Sequence, residues 1–190
     1  MKKIFSLLLI TFVSVMLCAC GSDNSNSLHH VKISVKDYGD IEVELDSSVA
    51  PITVDNFISL VKDGFYDGIT FHRIIDGFMI QAGDPTGTGF GGSEKTIKGE
   101  FGANGVNNTI EHVRGVISMA RSDNYNSASS QFFIVQNTSP HLDGLYAAFG
   151  HVTSGIEIVD KIATNTKVED NNGTVLKDNQ PVISKIELID

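Results

Sequence analysis

Residues 71–81 read FHRIIDGFMIQ, and this stretch decides the fold more than any other part of the sequence. It consists of an apolar run typical of a strand, a turn at Asp76 and Gly77, and an apolar return. Arg73 and Gln81 stand among phenylalanine, methionine and isoleucine, where burial without a partner would be costly. The pattern therefore indicates an apolar pocket with a few polar points rather than ordinary core.

Outward from this stretch, the sequence predicts many short strands and two helices. Apolar and polar residues alternate over 31–36 and 41–45, which predicts a β-hairpin. Pro51, apolar residues at helical spacing and then Gly64 predict one helix, and residues 156–162 show the same period. Further strands are predicted at 70–75, 116–119, 131–135, 147–152 and 182–188. This inventory favours a closed antiparallel barrel over a parallel α/β sheet, in which helices would alternate with strands.

The first twenty residues predict export from the cytoplasm. Lys2 and Lys3 precede an apolar stretch at 4–17, which is shorter than the roughly 20 residues of a spanning helix. The stretch ends in LCACG, which resembles a bacterial lipobox. The resemblance implies a signal peptide over residues 1–19. An uncleaved anchor, or a plain leader in which the cysteine is a coincidence, is the alternative.

The lipobox resemblance assigns Cys20 as the lipidated residue, with diacylglycerol on its thiol. We therefore expect a bacterial membrane protein, anchored by its lipid on the extracytoplasmic face. The small polar run after Cys20 predicts a flexible tether, so residues 20–28 form the lipidated cysteine and tether, and 29–190 form one domain. Because Cys18 is the only other cysteine, the domain is expected to lack disulfides and thiolate metal sites.

The charge of the chain restricts its partners. The formal net charge is −9, and removal of Lys2 and Lys3 with the leader leaves 12 basic against 23 acidic residues, or −11. Such a surface disfavours binding to nucleic acid and to anionic lipid headgroups. A merely soluble acidic surface explains the same charge.

Four motifs together resemble the cyclophilin family of peptidyl-prolyl isomerases. They are FHRIIDGFMIQAGDPTGTG from residue 71, SMAR from 118, SSQFFI from 129 and HLDGLYAAFG from 141. They occur in the family's order and span most of the domain. The resemblance implies a mainly β fold, a closed eight-stranded antiparallel barrel capped by two α-helices, with a substrate groove on its outer face.

The resemblance also implies the site residues. The catalytic arginine falls on Arg73. Substrate-binding positions fall on Phe78, Met79, Gln81, Ala120, Gln131, Phe133, His141, Leu142 and Tyr146. His141 and Tyr146 stand where many eukaryotic members have tryptophan and histidine, and Arg121 stands where many have asparagine. With the tryptophan N–H donor absent, we expect cyclosporin to bind weakly at best.

The chemistry implied by this resemblance is rotation about the peptide bond before proline. Amide resonance raises a barrier of about 18–20 kcal/mol, and no covalent bond has to break. A guanidinium at Arg73 can donate to the proline nitrogen when conjugation is lost in the twisted state. No metal, nucleophile or cofactor is implied. The expected partners are proline-containing polypeptides, such as secreted proteins that are folding, and we expect a monomer.

Several other interpretations find less support in the sequence. A binding module that holds proline-containing segments without turnover remains the alternative to an isomerase. The glycines of 83–92 do not predict a phosphate loop, because no Gly-Lys-Ser/Thr follows. The histidines lack metal-ligand spacing. Residues 170–173 begin like a calcium loop but lack its closing glutamate, so a turn is predicted there.

Overall fold

The structure is a computed structural model that describes residues 27–190. The predicted signal peptide, the predicted lipidation site at Cys20 and most of the predicted tether lie outside the described residues. Strand β1 begins at Leu28, one residue before the expected start of the domain. Among the helices of residues 27–190, none has the length and apolar character needed to cross a bilayer.

Eight strands and two α-helices are formed by residues 27–190, as the family resemblance implies. They are β1 (Leu28–Val35), β2 (Gly39–Asp46), α1 (Pro51–Lys62), β3 (Arg73–Ile75), β4 (Met79–Ala82), β5 (Val116–Met119), β6 (Phe132–Val135), β7 (Ala148–Ser154), α2 (Ile156–Asn165) and β8 (Ile183–Leu188). The strand predicted at 70–75 is shorter than expected, because only its second half pairs as a strand. Short 3₁₀ turns at Gly102–Asn104, Pro140–Leu142 and Lys177–Asn179 were not predicted.

All eight strands belong to one antiparallel sheet, in the order β3-β4-β6-β5-β7-β2-β1-β8. The expectation of a closed barrel is wrong. The sheet is open between its end strands β3 and β8, which are joined only where the segment before β3 meets the start of β8. There Thr70 bridges Val182, and the backbone N–H of Ile183 donates to the carbonyl of Ile69.

The barrel stays open because another segment occupies the free edge of β3. Ile74 N donates to Gly173 O over 2.8 Å, and Val175 N donates to His72 O over 3.0 Å. Arg73 and Thr174 form an isolated bridge between them. Since a strand edge can satisfy only one neighbour, β8 cannot form a ladder with β3.

The main core lies on the inner face of the curled sheet. The alternating residues of β1 and β2 point into it, and the face of α1 that carries Phe57 covers it. The Phe57 ring lies 5.0 Å from Tyr66, 5.5 Å from Phe132 and 5.3 Å from Phe149, centroid to centroid. Aromatic packing of this kind contributes about 0.5–1.5 kcal/mol per pair beyond burial. Because residues 27–190 contain no cysteine, the stability of the domain depends on packing of this kind.

A second, smaller apolar cluster lies apart from the main core. Its buried members are Met79, Val116, Phe133, Val135, Leu142 and Ala148. Strands β4 and β6 contribute to both clusters, because successive side chains of a strand point to opposite faces. Ile80 and Ile134 enter the main core, whereas Met79 and Phe133 enter the second cluster. This outer cluster is the base on which the candidate site is built.

Strand β1 is held on both sides. It pairs with β2 through Leu28↔Asp46 to Val35↔Gly39, and with β8 through Val31↔Leu188 to Val35↔Ile183. Beyond β8, Ile189 N donates to His30 O over 3.0 Å, and the carboxylate of Asp190 accepts from the His30 backbone N–H. The beginning of the described chain is thus fastened to its last residues.

Candidate active site

A cavity of about 350 Å³ opens on the outer face of the sheet, above the second apolar cluster. It is lined by Arg73, Phe78, Met79, Gln81, Ala120, Arg121, Phe133, Leu142 and Tyr146. Eight of the ten predicted site residues are among them. The remaining two, Gln131 and His141, lie beside this lining, in contact with Gln81 and Phe78 respectively.

Strand register brings the polar and apolar parts of the site together. Arg73 lies opposite Gln81 in the β3–β4 ladder, and Gln81 lies opposite Phe133 in the β4–β6 ladder. Side chains at directly opposed positions share a face of the sheet. A slip of one residue would turn Arg73 and Gln81 towards the main core, so the pairing is strongly specified.

Arg73 is fixed from three directions. Its Nη1 donates to Gln81 Oε1 over 3.2 Å and lies 3.9 Å from Met79 Sδ, while its Nε donates to Asn172 O over 2.9 Å. Burial lowers the pKa of Arg73 from its ordinary value, but a guanidinium is so basic that it remains charged at neutral pH. A half-buried, pre-oriented cation therefore faces the cavity.

Amide side chains continue this arrangement away from Arg73. Gln81 Nε2 donates to Gln131 Oε1 over 2.8 Å, and Gln131 Nε2 donates to the carbonyls of Gly89 and Gly91 over 3.0 and 2.7 Å. Gln131 lines an adjoining cavity of about 480 Å³, which shares Gln81, Ala120 and Arg121 with the first. The glycine-rich loop, residues 83–92, is thus connected to Arg73 through the side chains of Gln131 and Gln81.

The apolar wall of the cavity is firmly packed. Met79, Phe133 and Leu142 are at least nine-tenths buried, so their positions are set by the cluster beneath them. Phe133 meets the ring of Tyr146 edge to face at 5.8 Å, and Phe78 lies 5.5 Å from the ring of His141. An apolar recess beside a fixed cation can hold a small ring while its neighbouring bond is polarised.

Arg121 is a site residue whose role the sequence does not reveal. Its guanidinium lies 4.7 Å from the ring centroid of Tyr146, 4.9 Å from that of Tyr125 and 5.1 Å from that of Phe101. Nε and Nη2 both donate to Leu145 O, over 3.0 and 2.9 Å. Because the three rings come from separate segments, no spacing in the sequence could indicate this cluster.

The glycine-rich loop holds an anion that belongs to the chain itself. Asp84 is buried, and its carboxylate accepts backbone N–H groups from Thr86, Thr88 and Gly89 over 2.7, 3.0 and 2.6 Å. Burial alone would raise the pKa of Asp84, but the hydrogen bonds from Thr86, Gly91 and Gly89 outweigh it and bring the pKa well below its usual range. The backbone donors that could cradle a phosphate are thus occupied.

The turn at residues 170–173 serves the site in a way that the sequence did not suggest. Asp170 Oδ1 accepts from the N–H groups of Asn172 and Thr174 over 2.9 and 3.1 Å, which closes the turn. The turn presents the carbonyl of Asn172 to Arg73. Across residues 27–190, no group of three or more His, Cys, Asp or Glu side chains is arranged to hold a metal ion.

Comparison with known sequences identifies one family. The family described as cyclophilin type peptidyl-prolyl cis-trans isomerase/CLD matches residues 30–187. Peptidyl-prolyl cis-trans isomerase B of Bacillus subtilis is 44% identical over 144 residues, which cover 76% of this chain and 92% of that protein. Peptidyl-prolyl cis-trans isomerase-like 2 of Rhizopus delemar is 45% identical over 129 residues, or 67% of this chain, but the chain spans only 24% of that longer protein.

Comparison with solved structures agrees with the sequence comparison. A crystal structure of a cyclophilin type peptidyl-prolyl cis-trans isomerase from Cryptosporidium parvum, obtained in the presence of the dipeptide Ala-Pro, superposes with a TM-score of 0.74. The two chains are 32% identical, and the match covers 85% of this chain and 99% of that one. The fold described above is therefore shared over almost the entire Cryptosporidium protein.

Proposed function

The chain belongs to the cyclophilin-type peptidyl-prolyl cis-trans isomerases, and from this premise we propose that it isomerises prolyl bonds in extracytoplasmic polypeptides with Arg73 as catalytic residue. One observation carries the assignment of Arg73. Its guanidinium is held by Gln81 and Asn172 at the wall of a cavity that is also lined by Phe78, Met79, Phe133 and Leu142. A cation so fixed needs no reorganisation when charge develops beside it.

The reaction requires stabilisation of a twisted amide. When the bond before proline leaves planarity, resonance is lost and the lone pair of the proline nitrogen becomes available. An N–H of Arg73 donates to that nitrogen, which favours the twisted state over both planar isomers. Catalysis arises because this hydrogen bond is stronger in the transition state than in the ground states.

The apolar wall supplies the grip. Phe78, Met79, Phe133 and Leu142 hold the pyrrolidine ring, so the part of the substrate before the proline is the part that turns. The small side chain of Ala120 leaves room at the floor of the groove, and Gln81 and Gln131 offer amides to the peptide backbone. Tyr146 and His141 border the pocket. The Ala-Pro dipeptide present with the Cryptosporidium relative is consistent with a proline ring as the recognised group.

The proposed place of action rests on the first twenty residues. A lysine pair, a short apolar stretch and the LCACG sequence support a lipid anchor at Cys20 on the outer face of a bacterial membrane. The clients would then be proteins that fold after secretion, for which slow prolyl isomerisation limits folding. Mass spectrometry of the native amino terminus tests the anchor, and an unmodified or uncleaved Cys20 contradicts it.

The catalytic assignment is tested with soluble protein that starts at Ser27. In a protease-coupled prolyl peptide assay, Arg73→Ala is expected to lower kcat/KM by about 10²–10³-fold, the usual effect of losing one pre-organised donor. Arg73→Lys keeps the charge but loses the planar fork, so it should also be impaired. Full activity of Arg73→Ala would refute the assignment.

The same assay separates an isomerase from a binding module. Wild-type protein that binds proline peptides without accelerating their isomerisation would favour a holding role, in which His141 and Tyr146 set peptide affinity. Circular dichroism and peptide binding of each variant must match the wild type, because only then does a lost rate report on the chemistry.

A further inference from the structure

Three polar side chains form a line behind the proline pocket. Ser118 Oγ lies 3.0 Å from His112 Nε2, and His112 Nδ1 lies 2.9 Å from Asp143 Oδ1. The imidazole is completely buried. Neither His112 nor Asp143 lines the cavity or enters the proposed reaction. The buried imidazole of His112 is therefore a titratable group without an assigned role.

The arrangement has the order of a Ser-His-Asp triad but not its accessibility. Ser118 is fully buried in β5, so no substrate carbonyl can approach its hydroxyl. Acyl transfer is therefore not the purpose of the line. Its contacts lead instead towards the pocket.

Each member of the line adjoins a residue of the apolar wall. The His112 ring stacks on Phe133, with centroids 6.1 Å apart and planes at 17°. Ser118 lies opposite Phe133 in the β5–β6 ladder, and Asp143 follows Leu142 in the chain. The line thus touches the pocket from behind at Phe133 and adjoins it at Leu142.

We propose that His112 is a positioning residue that holds Phe133 and Leu142 in their gripping arrangement while its imidazole is neutral. The inference rests on the proposed isomerase function of the cavity. Small displacements of groups that position a substrate can cost about 10²-fold in rate. Protonation of His112 then reduces turnover without a change in Arg73.

The hydrogen bonds define which protonation state fits. Asp143 Oδ1 accepts from the backbone N–H of His112 over 2.7 Å and also faces Nδ1, so Nδ1 carries the proton. Nε2 is then an acceptor, and the Ser118 hydroxyl donates to it. A second proton on Nε2 removes this acceptor and places a cation against the face of Phe133 in a site closed to water.

The surroundings of His112 shift its pKa in opposite directions. Burial has the largest effect and lowers the pKa of His112 below its ordinary value of 6.5, while Asp143 raises it and His141 lowers it. The other contacts are Phe133, the Ser118 hydroxyl and the Ser139 backbone N–H, which donates to His112 O. Because the pKa of His112 is lowered overall, its ring is neutral at neutral pH. Activity should therefore be lost only as the pH becomes acidic.

The test is the pH profile of kcat/KM in the prolyl peptide assay. Because His141 is titratable and borders the pocket, the reference is a His141→Gln variant. We expect its kcat/KM to be constant above about pH 7 and to fall at least about fivefold by pH 5, with a midpoint below about 6.5. Adding His112→Gln replaces Nε2 by an amide that does not titrate, so it should lower activity at pH 7.5 and abolish the acid fall. Identical profiles in the two proteins would overturn the inference.

Controls separate this inference from the function on which it rests. His151→Gln makes the same exchange at an exposed histidine and should leave the profile of the reference protein unchanged. Absence of any isomerase activity in the wild type would instead refute the proposed function. If His112→Gln fails to fold, wild-type NMR decides: the ring resonances of Phe133 should shift together with the titration of His112, and fixed Phe133 resonances would contradict the proposal.

Discussion

Arg73 and Gln81 lie opposite each other in the β3–β4 ladder, and Nη1 of the arginine donates to Oε1 of the glutamine over 3.2 Å. The glutamine in turn donates to Gln131. The Gln81 amide therefore orients the Arg73 guanidinium and connects it, through Gln131, to the glycine-rich loop.

Gln81→Ala should lower kcat/KM by about tenfold, mostly in kcat. Loss of a hydrogen bond to a charged group costs about 1.5–3 kcal/mol, and we expect part of that free energy to be lost from transition-state stabilisation because Arg73 is no longer held in position. Gln131→Ala is the comparison, since it removes the tie to the loop but leaves the bond between Arg73 and Gln81. A larger effect in Gln131→Ala than in Gln81→Ala would show that the order of importance is reversed.

Arg121→Lys should raise KM by about three- to tenfold with a smaller change in kcat. Lysine keeps the charge, but it cannot donate twice to Leu145 O while lying against three rings, so Tyr146 loses its support. Arg114→Lys, at a surface ion pair with Asp160, is the matched control and should leave KM unchanged. Steady-state kinetics of both variants tests this prediction. If Arg121→Lys and Arg114→Lys had the same KM, Arg121 would not support Tyr146 in substrate binding.

Gly173→Ala should disturb Arg73 indirectly, through the carbonyl of Asn172. Gly173 has φ +80°, and a Cβ there would lie 2.2 Å from Ile74 O, so the turn must move away from β3 and take the Asn172 carbonyl with it. We expect a loss of about tenfold in kcat/KM and about 1–3 kcal/mol in the free energy of unfolding. Gly68→Ala, at φ +79° with open space around its Cβ, reproduces the backbone strain alone. Equal rates in the two variants would show that the turn does not position Arg73.

Asp84→Asn should destabilise the glycine-rich loop. The amide can accept fewer of the N–H groups that now converge on the carboxylate, and we expect a loss of about 1–3 kcal/mol in urea unfolding. Since hydrogen bonds depress the pKa of Asp84, its contribution is fully present above the ordinary value of 3.8 and is lost as the pH falls towards the depressed folded value. Asp123→Asn, at an exposed aspartate, should cost little, and a similar cost at both positions would argue against the cradle.

Much of the fold could be predicted because its signals are local. The alternation in the first hairpin, and the interval between Pro51 and Gly64, follow from strand and helix periods. Closure of the barrel was predicted wrongly because it depends on which distant segment reaches the edge of β3. Residues 173–175 reach it instead of β8, and no periodicity in the sequence reports that competition.

The site residues that could be predicted from the residue pattern alone are likewise those whose contacts are local in sequence. The FHRIIDGFMIQ stretch places Arg73 and Gln81 in one hairpin, so their proximity follows from a single turn. Asn172 and Arg121 escaped prediction because their partners are distant in sequence or belong to several segments. The isolated carbonyl of a turn and the faces of aromatic rings carry no sequence signature.

The pairing of β1 with two neighbouring strands would affect how an anchored enzyme responds to force. A lipid tether would transmit any pull into the domain at Leu28, along the axis of a strand that is paired with both β2 and β8. Such a load must shear two ladders at once, whereas a strand at the edge of a sheet can be peeled off one bond at a time. The domain would therefore resist drag from a client that is still being threaded across the envelope, and its site would stay assembled under tension.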